Sequence, residues 1–197
     1  MNQKIDKNNF EYIKTYNLEN ENSSLEIKKS IYNIIFSISN FLSDNKINYN
    51  YDILNKKIKT LSIYYYQDTH LSYNNQKNIL RLSLYNYNLK KFNEYEKNIL
   101  LTHELLHFFA FCGYRKQYAF EEFFTEHLTY LILEKEVKKY YLNNLCGYYN
   151  KDDFVFMNNL HSKVNFNDLL DAYFNKKTEK ISKIINENTL LYMNNYY

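Results

Sequence analysis

The chain has 197 residues, of which 25 are Lys or Arg and 22 are Asp or Glu, and its formal net charge is +3 with histidine neutral. The length suits one domain, and so small a charge, spread along the chain, excludes the concentrated basic face of a nucleic-acid-binding protein. Cys112 and Cys146 are too few for a disulfide framework and lack the CxxC spacing of a thiolate zinc site, so we interpret both as reduced.

Polar residues dominate positions 1–23, which have no clear apolar periodicity. We expect them to form a loosely ordered N-terminus ahead of a single domain over residues 24–197. They contain no apolar segment typical of a signal peptide, and no stretch elsewhere approaches the length of a membrane span. The sequence therefore favours a cytoplasmic protein with no membrane partner, and it gives no indication of the oligomeric state.

One helix and two strands are predicted in the first half of the domain. Ser23 and Glu26 match a capping box, and apolar residues at helical spacing continue that helix to about Leu42. Residues 58–66 are rich in β-branched and aromatic side chains, and residues 79–87 alternate between apolar and polar. With an asparagine-rich turn between them, the two strands predict a twisted antiparallel hairpin or part of a small sheet.

The second half of the chain is predicted to be helical. Asn93 as N-cap and Glu96 three residues later begin a helix that ends near Gly113, where the left-handed backbone of a helix C-terminus favours glycine. Further helices are predicted over residues 120–141, 167–174 and 179–193. The predicted fold class is α+β, with a small antiparallel sheet or hairpin packed on a mainly helical domain and the Asn93 helix at its centre.

An HExxH motif formed by His103, Glu104 and His107 lies on this central helix. The two histidines are four residues apart, so both imidazoles leave the same face and can bind one metal ion. Glu104 is rotated about 100° from His103 and is better placed to act on a metal-bound water than to bind the metal directly. The apolar neighbours of the motif would bury it in the core, where the polar side chains need a partner such as a metal ion.

A catalytic zinc site needs a third protein ligand. Glu122 and Glu126 are four residues apart on the next predicted helix and share one face, so one can bind the metal while the other accepts a hydrogen bond from a ligand histidine. Glu121, His127 and His161 are the other downstream candidates. The residues alone leave the choice of ligand open.

HExxH followed one helix later by ExxxE, with a small residue between the two glutamates, resembles the gluzincin metallopeptidases, in particular their short bacterial members. The resemblance implies one Zn²⁺ per chain, bound by His103, His107 and Glu122. It makes Glu126 the acid that supports a ligand histidine from behind, and Thr125 the small residue. The acidic Glu121 beside Glu122 departs from many relatives, which have Asn or Gly there.

The same resemblance implies a zincin-like fold that hydrolyses peptide bonds. The strand over residues 79–87 would form the edge of the active-site cleft, so that Leu82 and Leu84 would contact a peptide or protein substrate added as a further strand. Glu104 would take a proton from the zinc-activated water as general base and pass it to the leaving amine. Tyr148, Tyr149 and His161 are candidates for the group that stabilises the oxyanion.

Three other functions are compatible with the motif. The chain could be a zinc-binding module without catalytic activity, although a structural site does not need Glu104. It could be a regulatory protease of a mobile element, which shares the chemistry but has a different substrate. It could also be a secreted toxin or effector fragment, which the absence of a signal peptide disfavours.

Overall fold

The structure is a computed structural model that describes residues 5–16, 21–66, 71–83, 94–110, 118–144, 157, 159–175, 177 and 181–184. Its main elements in chain order are a 3-10 helix (Lys7–Tyr12), β1 (Lys14–Tyr16), α1 (Glu21–Asp44), α2 (Tyr51–Thr60), β2 (Ser62–Tyr66), β3 (Ser72–Asn74), β4 (Ile79–Ser83), α3 (Glu94–Phe109), α4 (Tyr118–Ile132), α5 (Lys135–Asn144) and α6 (Phe166–Asn175). The α+β class is therefore confirmed.

The four strands form one mixed sheet with the order β1-β2-β4-β3. β2 runs parallel to both β1 and β4, whereas β3 pairs antiparallel with β4. The predicted antiparallel pairing of residues 58–66 with 79–87 is therefore wrong. Residues 58–60, predicted as the start of the strand, belong instead to helix α2, which continues through Thr60. The antiparallel partner of β4 is the short strand β3, and a tight turn connects the two. Asn78 ends this turn with φ 51°, a left-handed conformation that asparagine tolerates.

Within positions 1–23, where the sequence predicted no element before Ser23, residues 7–12 form the 3-10 helix and residues 14–16 form β1 of the sheet. β1 pairs with β2 in the register Lys14 to Ser62. Phe10 and Ile13 are buried in the main hydrophobic core, and the side-chain amide of Asn9 donates to Asn55 Oδ1 over 3.1 Å. These two apolar side chains anchor residues 5–16 to the domain, although most of their neighbours in sequence are polar.

Helix α1 begins at Glu21, two residues before the predicted N-cap Ser23, so the capping box does not mark its start. Its apolar stripe is buried as the periodicity predicts. The helix ends after Asp44 with Lys46 at φ 58°, and the Ile47 amide donates back to the Leu42 carbonyl over 2.9 Å. This hydrogen bond is the one that closes a Schellman motif.

The helix predicted over residues 120–141 is divided into α4 and α5 at residues 133–134. No glycine or proline marks the break. Leu133 at the break is buried in a second, smaller cluster with Ile99, Val137 and Tyr141. Burial of these side chains turns α5 back across α3 and brings Tyr141 towards the central helix.

The central helix α3 has every residue from Leu101 to Phe109 buried. It contacts α1, α4, α5 and β3, so it lies at the centre of the domain as predicted. Helix α6 agrees with the helix predicted over residues 167–174. Gly113 and most of the helix predicted over residues 179–193 lie outside the described residues. In the described part of the chain, no helix combines the length and apolarity that crossing a membrane requires.

Candidate metal centre

His103 and His107 lie one turn apart on α3, and only 5% and 9% of their surfaces are exposed. Their Nε2 atoms are 3.2 Å apart. Helix α3 brings the two nitrogens together because residues four apart share one face of a helix. The pair is held in the core by the apolar residues around it on the same helix.

Glu122 extends from α4 towards this pair. Its Oε2 atom is 3.5 Å from His103 Nε2, and its Oε1 atom is 3.5 Å from His107 Nε2. Ligand atoms bound at about 2.0–2.1 Å to a tetrahedral ion lie about 3.3 Å from one another. The Nε2–Nε2 separation of 3.2 Å fits that geometry, and the Glu122 carboxylate faces both nitrogens with one oxygen each at 3.5 Å. One ligand atom from each of the three residues lies within 4.8 Å of the other two, so the group could hold a metal ion.

The group is more open to solvent at Glu122 than at the histidines. The Glu122 side chain is 32% exposed, whereas those of His103 and His107 are 6% and 11% exposed. Solvent or another molecule can therefore approach the three ligand atoms from the Glu122 side. A catalytic metal site needs such an open position, whereas a structural site is closed by protein ligands.

Carboxylates also contact the other ring nitrogen of each histidine. Glu126 Oε2 is 2.7 Å from His103 Nδ1, and Glu121 Oε1 is 3.2 Å from His107 Nδ1. A carboxylate beside Nδ1 favours an Nδ1–H donor, and Nε2 of each ring then faces the common centre, where it could bind a metal ion once it has lost any proton. Thr125 lies between these glutamates on α4, fully buried, and its hydroxyl donates to the Glu121 carbonyl over 2.6 Å.

Tyr141 extends this network from α5, since its buried hydroxyl donates to Glu126 Oε1. Tyr141 was not predicted from the sequence, because its position depends on the break between α4 and α5. Glu121 was predicted only as a possible ligand, with no role beside His107. The sequence feature that could have indicated this role is the presence of three acidic residues, Glu121, Glu122 and Glu126, within six positions of α4.

The charges of these groups are strongly coupled in the metal-free protein. Burial lowers the pKa of His103, but hydrogen bonds to Glu122 and Glu126 outweigh burial and raise it to about 9. Burial raises the pKa of Glu122, but the two imidazoles outweigh it and lower the value to about 2. The pocket therefore favours positive charge beside its carboxylates, which is the electrostatic environment that a cation requires.

Glu104 is buried beside the centre, and its Oε2 atom accepts a hydrogen bond from the Tyr73 amide over 2.8 Å. Tyr73 belongs to β3, which lies at one edge of the sheet, with β1 at the other. Its ring packs edge-on against Phe108 of α3, and its hydroxyl donates to Asn78 Oδ1 over 2.8 Å. The edge strand and the HExxH helix are thus connected through Glu104.

The prediction that residues 79–87 form the edge strand is wrong, because β4 lies between β2 and β3. Leu82, expected to contact substrate, is fully buried in β4, and Leu84 lies outside the described residues. The alternation of Leu80 and Leu82 reflects a side of the sheet that faces the core. Alternation of apolar and polar residues identifies the buried face of a strand. It does not indicate whether the strand is central or at an edge of the sheet.

The other candidates lie elsewhere. His161 and His127 contact each other through their Nε2 atoms at 3.2 Å, and neither belongs to the group of His103, His107 and Glu122. Tyr148 and Tyr149 lie outside the described residues. No family model, curated protein or solved structure matches the chain.

Proposed function

We propose that the chain is a zinc metallopeptidase of the gluzincin type, with His103, His107 and Glu122 as the zinc ligands. The observation that carries this proposal is the convergence of two imidazole nitrogens and one carboxylate at separations of 3.2–3.5 Å on an HExxH helix. Two histidines and one glutamate with an open fourth position form a donor set found in catalytic zinc sites.

Zinc bound at these residues would lower the pKa of a water molecule towards 7 and polarise the carbonyl of a peptide bond. The protein contributes the orientation of the ligands. Glu126 and Glu121 hold the Nδ1–H groups of the two histidines, so that both Nε2 lone pairs point to the same centre. The partial exposure of Glu122 leaves a side from which water and substrate can enter.

Glu104 is the general base in this proposal. It follows His103 directly and lies against the edge strand, where an attacked peptide bond would be held. The Tyr73 amide engages Oε2 and orients the carboxylate, so we assign proton transfer to Oε1. The proton taken from the attacking water is then given to the nitrogen of the leaving amine.

The substrate of this proposal is an extended peptide bound along β3. β3 is at the edge of the sheet and contacts α3, so a peptide added to it would lie next to the HExxH helix. Main-chain hydrogen bonds to an edge strand recognise extended peptides with little dependence on side chains.

Metal analysis combined with a peptide-library assay tests the proposal. We expect about one zinc ion per purified chain and hydrolysis of extended peptides, lost with a chelator and restored by Zn²⁺. A chain that holds zinc at these residues but cleaves no peptide of the library would instead support a binding module. A chain that binds no zinc would overturn the ligand assignment.

A further inference from the structure

His127 and His161 form a second pair of histidines that the proposed peptidase mechanism does not use. His127 is on α4, five residues after Glu122, and His161 lies in a helical turn before α6. Their Nε2 atoms are 3.2 Å apart and their ring centroids are 4.9 Å apart. The pair His103 and His107 has the same two distances, 3.2 and 4.9 Å.

Aromatic rings surround this second pair. Phe166 lies 5.4 Å from the His161 ring and 6.4 Å from the His127 ring, and Phe124 lies 6.4 Å from the His127 ring. Within the described residues, no carboxylate forms an ion pair with either imidazole. This environment is less polar than that of His103 and His107.

Burial favours the neutral form of both imidazoles. Burial lowers the pKa of His127 to about 4, with a smaller contribution from the nearby His161, and burial also lowers the pKa of His161. A neutral imidazole has one nitrogen with a lone pair, and it is the form that binds transition metals. Two Nε2 atoms at this separation match two neighbouring ligands of a tetrahedral ion, which lie about 3.3 Å apart.

We propose that His127 and His161 form a second binding site for a divalent transition-metal ion such as Zn²⁺. Imidazole ligands suit Zn²⁺, Cu²⁺ and Ni²⁺, and solvent or a small ligand completes the coordination. This site goes beyond the proposed peptidase function and does not depend on it. It is weaker than the first site, because it has two protein ligands and, within the described residues, no carboxylate to orient them. Loss of such orienting groups alone costs about 10–100-fold in metal affinity.

Titration of the full metal-free chain with Zn²⁺ tests this site, followed by competition with a chromophoric chelator. We expect two equivalents per chain, the second bound at least about tenfold more weakly than the first. His127→Gln and His161→Gln should each remove the second equivalent and leave the first in place. These two variants change different segments of the chain. If one of them fails to fold, the other still tests whether the second site binds zinc.

A chain with both His103→Ala and His107→Ala is the matched control, since it should lose the first equivalent and keep the second. A single equivalent that both glutamine variants keep and the double-alanine chain loses would overturn the proposal and identify the contact as an N–H···N hydrogen bond between two imidazoles. A second equivalent that persists in both glutamine variants would also overturn it. Neither result affects the assignment of the first site, which the double-alanine chain tests separately.

Discussion

Oε2 of Glu126 lies 2.7 Å from Nδ1 of His103, and both side chains are almost completely buried. This contact joins α4 to α3 behind the candidate metal centre and sets the tautomer of the histidine. Tyr141 on α5 donates to the other oxygen of the same carboxylate. Three helices therefore cooperate in orienting one metal-facing nitrogen, so that a change in any of them should alter the affinity for zinc.

Glu126→Gln should weaken zinc binding by about tenfold or more, since a neutral amide supports the imidazole less well than a carboxylate does. Chelator competition on the purified variant measures this change. Glu121→Gln is the matched comparison, because Glu121 contacts His107 at the longer distance of 3.2 Å and its side chain is 24% exposed. We expect a smaller loss there. Equal affinities for Glu126→Gln and the unaltered chain would contradict the orienting role.

Tyr141→Phe should also weaken zinc binding, by about fivefold, since one buried hydrogen bond contributes about 1 kcal/mol. Tyr140→Phe is a close control. It removes the hydroxyl of the adjacent residue, which donates to a different carboxylate, at Glu96 Oε1, over 3.0 Å. Only the Tyr141 variant should change the zinc affinity. If both variants lost affinity equally, the effect would come from the stability of α5 and not from Glu126.

Glu104→Gln should keep zinc and lose peptidase activity by a factor of about 10²–10⁴, the usual contribution of a general base. The amide oxygen of glutamine can still accept the Tyr73 amide hydrogen bond, so the variant should fold normally. Zinc content and the rate of peptide hydrolysis are measured on the same sample. A variant as active as the unaltered chain would show that Glu104 is not the base.

His107→Ala should remove the zinc ion of the first site from the purified chain, because one histidine and one glutamate would hold it much more weakly than three ligands do. Thermal unfolding gives a second measurement that does not depend on activity. A chelator should lower the Tm of the unaltered chain, since zinc at about 100 times its Kd stabilises the folded state by about 2.7 kcal/mol. The Tm of His107→Ala should respond much less to the chelator, because only the weaker second site remains. Full zinc occupancy in this variant would exclude His107 as a ligand.

Zinc binding should release protons and become tighter as pH rises. In the metal-free chain the carboxylates raise the pKa of His103 to about 9, so at pH 7–8 zinc must displace a proton from this ring. We expect about one proton released per zinc near pH 7.5, and an affinity that increases up to about pH 9. Calorimetry in buffers with different ionisation enthalpies measures the number of protons. Release of none would contradict a protonated His103 in the metal-free chain.

The same pKa value predicts how the metal-free fold responds to pH. The His103 pKa is raised above the ordinary histidine value of 6.5, so its contribution to stability is complete below about pH 6.5 and is lost as pH rises to about 9. Denaturant unfolding of the metal-free chain at several pH values measures this loss. The zinc-bound chain should not show it, because the metal replaces the proton.

The sequence by itself predicted the relationships that depend on one helix turn. His103 and His107 share a face of α3, and Glu122 and Glu126 share a face of α4, because residues four apart on a helix are neighbours whatever surrounds them. Apolar periodicity likewise identified α1, the helix over residues 167–174 was also predicted, and the apolar neighbours of the motif indicated that α3 is central. These predictions need only local geometry and the burial of apolar side chains.

The tertiary structure decided what depends on contacts between distant segments. The pairing of β4 with β2 and β3, the inclusion of residues 14–16 in the sheet and the position of β3 at one of its edges follow from long-range packing, which the period-two pattern of a strand does not specify. The break at residues 133–134 and the approach of Tyr141 to Glu126 have the same origin. A helix breaks where burial of its apolar residues requires the chain to change direction. The position of that break therefore depends on the rest of the folded chain.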